Sequence, residues 1–125
     1  MIKAVKFVSI PVRDQDAALR FWTERCGFEI ATDQPMSDEM GGQRWIELRI
    51  GSAPTRIVLF TPPGHESRIG AFMNLSFTCD DVQRTYDEMS SRGVVFDGPP
   101  ETQGWGTAAI FADPDGNKFV LSSSR

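Results

Sequence analysis

Trp45, Glu47 and Arg49 occupy alternate positions in the run QRWIELRI, residues 43–50. In an extended chain alternate residues share a face, so an indole, a carboxylate and a guanidinium project together. Two readings of the charged pair are open. A carboxylate in a partly dry site has its pKa raised by desolvation and can serve as a general base. Alternatively, Glu47 and Arg49 neutralise each other on a solvated strand face, where such a pair contributes at most about 1 kcal/mol. Other reactive side chains are few. The single histidine, His65, falls in the polar run PPGHESRIG, where an exposed loop imidazole is expected. One histidine cannot complete a two-His-one-carboxylate iron site within the chain. Cys26 and Cys79 make neither a disulfide framework nor a paired-cysteine metal motif. No Gly-rich phosphate loop or nucleophile elbow is present.

The elements that must position these residues follow from periodicity. FVSIPV (7–12) alternates, with Val8, Ile10 and Val12 on one face and Phe7 and Ser9 on the other. DQDAALRFWTERCG (14–27) predicts a helix stopped at Gly27, FEIAT (28–32) a strand, and 43–50 and 56–61 two more strands. The second half repeats this order. FMNLSFTC (72–79) alternates, 80–93 predicts a helix stopped at Gly93, and VVF (94–96) is a short strand. AIFADPDGNKFVLSS (109–123) is a hairpin around Asp113-Pro114-Asp115-Gly116, which suits a type I turn. The two helix stops set the offset at about 66 residues. Module one is about 1–61, the connector 62–70 and module two about 71–125. Either module alone is too small to bury an adequate core. The expected fold is therefore α+β and a single domain, 1–125: two βαβββ modules in tandem, a curved mixed sheet, helices on its convex face and a cup on the other.

Alternation assigns the cup-facing side chains: Phe7 and Ser9, then Trp45, Glu47 and Arg49, then Asn74, Ser76 and Thr78, and finally Lys118, Val120 and Ser122. Trp105, between Gly104 and Gly106, sits on a loop free to bring its indole over the mouth. An aromatic wall with a few polar groups suits a modest-sized organic ligand. The candidate ligand-binding residues are Phe7, Ser9, Trp45, Glu47, Arg49, Asn74 and Trp105, with Glu47 the candidate catalytic residue.

Composition narrows the partners. A net charge of −4 argues against a nucleic-acid partner, which calls for a basic face. No apolar run approaches the roughly 20 residues of a membrane span, and the start MIKAVKFVSIPV reads as a strand, not a leader. A cytoplasmic location is expected.

At this point the residues carry a resemblance. VRDQDAALRFWTERCGFEI resembles the first-half signature of the vicinal-oxygen-chelate superfamily, and FADPDGNKFVL is similar to its closing hairpin. That superfamily includes glyoxalase, bleomycin- and fosfomycin-resistance proteins, methylmalonyl-CoA epimerase and extradiol dioxygenases, so the fold leaves the reaction open. Its enzymes hold a divalent metal in the cup, one ligand on each of four strands. By the resemblance those positions are Phe7, seven residues before Asp14; Asn74, seven before Asp81; Val120, five after Asp115; and Leu59 or an adjacent residue. Phe, Leu and Val offer no lone pair, and Asn only a neutral amide oxygen. The expectation is a metal-independent protein without cofactor that binds a small molecule, sequestering a drug or metabolite, as a homodimer. Two alternatives stand beside it: a glyoxalase- or epimerase-type lyase or isomerase with displaced ligands or with Glu47 as acid–base, and a structural or interaction protein. Extradiol dioxygenase chemistry is excluded by the histidine count.

Overall fold

The computed structural model describes residues 1–123. It divides into two compact units, Met1–Ile69 and Gly70–Arg125, close to the module boundary drawn from the repeat.

In the first unit β1 (Phe7–Ile10) leads into α1 (Gln15–Arg20), followed by β2 (Glu29–Pro35), β3 (Arg44–Arg49) and β4 (Arg56–Leu59). The helix starts where it does because the Asp14 carboxylate accepts hydrogen bonds from the backbone N–H groups of Asp16 and Ala17. The aspartate of the first-half signature is thus a helix cap. The predicted helix over 14–27 is only partly regular: after Arg20 it widens into a π-turn over Phe21–Arg25. Phe21 and Trp22 are both buried there, although adjacent residues of a regular helix diverge by about 100°. The wider turn accommodates both rings, and Trp22 stacks on Phe28 with centroids 5.2 Å apart. The strand order is β1-β4-β3-β2, with β1 and β4 parallel and the other pairs antiparallel. Ile10, Ile46, Leu48, Ile57 and Leu59 are buried, as the alternation predicts for the face against the helix. Gln15 stitches helix to sheet, donating from Nε2 to the carbonyls of Arg44 and Leu59, each at 2.7 Å.

The second unit repeats the plan with β5 (Phe72–Cys79), α2 (Val82–Ser91), β6 (Val95–Phe96), β8 (Gly106–Ala112) and β9 (Lys118–Ser123), in the order β5-β9-β8-β6. Asp81 caps α2 as Asp14 caps α1. The Gly/Pro loop before the hairpin holds an additional strand not anticipated from sequence, β7 (Glu101–Gln103), paired with β8. Phe77, Phe96, Phe111 and Phe119 form the aromatic core. The quoted hairpin pairs Ala108 with Ser122 and Ile110 with Val120, and its turn is organised by Asp113 and Asn117, both buried.

Candidate functional site

The first unit gathers five of the sequence-derived residues, Phe7, Ser9, Trp45, Glu47 and Arg49, on the face opposite its buried aliphatic set. Register places Ser9 beside Val58, and Val58 beside Glu47, so these three share a row. Phe7 pairs with Arg56 two residues back on the same face. The Phe7 and Trp45 rings meet edge-on at 5.5 Å and 81°, and Trp45 leans on Phe60 at 5.7 Å. The Trp45 indole N–H donates to Glu47 Oε2 at 2.8 Å, which fixes the ring in place.

Two expectations for Glu47 are corrected here. Its ion-pair partner is Arg56, Nη1 to Oε1 at 3.1 Å, and not Arg49. Its pKa is lowered, not raised: the hydrogen bond from Trp45 is the largest influence, and together with the Arg56 hydrogen bond and charge it outweighs desolvation. Both carboxylate oxygens are engaged, so Glu47 is a fixed anion that orients an indole. Arg56 and Phe60 were not among the sequence candidates. The alternation of 56, 58 and 60 contained the signal, but only the register to β3 shows which residues they meet.

In the second unit Trp105 is 58% exposed and borders a cleft of about 430 Å³ lined by Glu101, Ala108, Ile110 and Val120 among others. Asn74 is exposed and sits at an irregularity in β5, between the pairings of Phe72 and Ser76. Its φ of 54° is the one positive value at a non-glycine among the described residues, a conformation asparagine tolerates better than most. His65 is exposed, as expected, and the two cysteines are partly buried and not in a disulfide.

The positions that the resemblance assigns to a metal fall as follows. In the first unit Phe7 is packed on Trp45, Leu59 is buried, and the β4 residue in the Ser9–Glu47 row is Val58. In the second unit the positions hold Asn74 and Val120. Neither set offers an anionic or imidazole donor, and among the described residues no three His, Cys, Asp or Glu side chains gather in a metal-holding group. These residues do not fit the superfamily's metal.

Two α+β units of the same strand order, each with one α-helix among the described residues, define a paired βαβββ protein whose first sheet presents an aromatic face poor in metal donors. Residues 4–121 match the model of the Glyoxalase/Bleomycin resistance protein/Dioxygenase superfamily, and the chain belongs to that family. It is 39% identical over 121 residues to the uncharacterized protein YetH of Bacillus subtilis, covering 97% of this chain and 98% of YetH. A superfamily member from Sphaerobacter thermophilus superposes with a TM-score of 0.88 at 32% identity, covering 98% of each chain. TnmS3, an antibiotic binding protein from Streptomyces sp. CB03234, superposes at 0.81 with 35% identity, covering 98% of this chain and 96% of that one. No helix among the described residues is long and apolar enough to cross a membrane.

Proposed function

We propose that this protein binds a small, largely apolar organic molecule, an antibiotic or a metabolite, through an aromatic face and without a metal. One observation carries the reading. Phe7, at the superfamily's first ligand position, is packed edge-on against an indole that Glu47 and Arg56 hold in place. An aromatic surface stands where the metal enzymes of the superfamily carry a donor. The likeness to an antibiotic binding protein supports the same reading, as does the exposed Trp105 beside its cleft. The lowered pKa of Glu47 weighs against a general base and in favour of a positioning role. Elemental analysis after metal-supplemented expression tests the metal-free part. No stoichiometric metal is expected, and thermal-shift responses to small molecules should survive a chelator. One Zn, Ni, Mn or Fe held per chain, with fold or binding lost on chelation, would overturn it.

The reading includes a homodimer. Ile30 on the edge strand β2 is 47% exposed, and Phe72 and Val95, on the edge strands β5 and β6, are more than half exposed. Apolar side chains on unpaired edges are surfaces that a second copy can cover. Light scattering at micromolar concentration should report about twice the mass of one chain. A protein that remains monomeric on concentration would refute this.

A further inference from the structure

We propose that the aromatic face of the first unit selects an anionic aromatic molecule, its acid group held between Arg49 and Arg56. This rests on the ligand-binding reading above. The argument begins with register. Glu47 pairs with Val58 and Leu48 with Ile57 across β3 and β4. One further antiparallel step brings Arg49 opposite Arg56, and alternation puts both on the face of Glu47 and Trp45. Like charges directly opposite on a sheet destabilise it. Edge protection does not account for them, because β3 and β4 are the two central strands of the four-stranded order.

The nearby carboxylates compensate only part of this charge. Glu47 divides its oxygens between Trp45 Nε1 and Arg56 Nη1. Glu29 lies across from Arg49 on β2, yet among the described residues no ion pair joins them and Arg49 makes no side-chain hydrogen bond. Lys6 adjoins Phe7, and its carbonyl accepts from the Arg56 backbone N–H at 3.0 Å. Its charge also acts on the Glu47 carboxylate, so a third cation stands near the pair. This local excess of positive charge occurs in a chain whose net charge is −4. Guanidinium groups match carboxylate, sulfonate or phosphate oxygens with two parallel hydrogen bonds. Phe7, paired with Arg56 on the neighbouring strand, places an aromatic ring beside that anion position. A ligand with a ring on Phe7 and Trp45 and an acid group on the arginines uses both features.

Two fluorescent probes isolate the charge: 1-anilinonaphthalene-8-sulfonate and N-phenyl-1-naphthylamine, which share a ring system and differ in the sulfonate. The wild type should favour the sulfonate, and added salt should erode that preference. Arg49→Gln should reduce the affinity ratio of the two probes about tenfold, the usual effect of one charge-assisted hydrogen bond. Arg49→Lys should retain part of the preference. Because Arg49 has no side-chain partner to lose among the described residues, the melting temperature of Arg49→Gln should stay level or rise. An unchanged ratio in Arg49→Gln, with both probes still weakened by Trp45→Ala, would overturn the anion preference alone. Probe binding indifferent to Trp45→Ala would remove the aromatic face, and this inference with it.

Discussion

Asn117→Ala is expected to cost about 2–4 kcal/mol of stability, because it takes one partner from the buried Asp113 carboxyl and another from the Gly70 backbone N–H, and empties a fully buried position. Asn117 is fully buried. Its Nδ2 donates to Asp113 Oδ2 at 2.9 Å, and its Oδ1 accepts the Gly70 backbone N–H at 2.7 Å. Asp113 is itself buried, and burial pushes its carboxyl up to about 6 against the opposing hydrogen bonds from Asn117. A carboxyl whose pKa is raised in the folded state favours folding at low pH. That contribution fades as pH rises from the unfolded value near 4 through about 6. The Nδ2 bond favours the ionised form, so its loss should matter more above pH 6 than below pH 5. Urea melts of wild type and Asn117→Ala at pH 4.5 and 7.5 measure both effects. A difference below about 1 kcal/mol, or one equal at the two pH values, would show that the turn is held by other contacts.

The repeat, the strand faces and the hairpin were legible because they depend on local periodicity and turn chemistry. Alternation in FVSIPV and QRWIELRI assigned Ile10, Ile46 and Leu48 to the buried face without knowledge of any partner strand. The features that escaped are of a different kind. Glu47 meets Arg56 because β3 and β4 are antiparallel in a particular register, and no local pattern specifies which residue lies across a strand. The Asn74 irregularity and the π-turn at Phe21–Arg25 are departures from regular geometry. A periodic reading smooths over both. Strand β7 has three residues, Glu101, Thr102 and Gln103, too few to show a period at all. The pKa of Glu47 depends only in part on that register. Its direction is set first by an indole two positions away on the same strand and then by a guanidinium on another.

Trp45→Ala should weaken ligand binding several-fold or more while leaving the fold intact. An edge-on or stacked aromatic contact contributes about 0.5–1.5 kcal/mol beyond area burial, and the ligand would also lose the indole's apolar surface. Trp45 is half-buried on the face away from the aliphatic core, so its truncation should cost less stability than the 3–5 kcal/mol typical of a fully buried ring. Trp22, fully buried on the π-turn that continues α1, supplies that reference in the same chain. Glu47→Gln separates position from charge. The amide oxygen can still accept from the indole, but the amide nitrogen cannot pair with Arg56. Since the Arg56 side chain is 40% exposed, the lost ion pair should cost under about 1 kcal/mol. A cationic ligand would then bind the Gln variant less tightly, whereas an anionic one would bind more tightly because Arg56 is released. Fluorescence titration and thermal melts on the same variants keep affinity and stability apart. Large destabilisation of Trp45→Ala with unchanged affinity would place the indole in the core and defeat the binding-face reading. Weakened affinity with a near-native melting temperature would locate the ligand on Trp45, and the sign of the Glu47→Gln change would then report the ligand's charge.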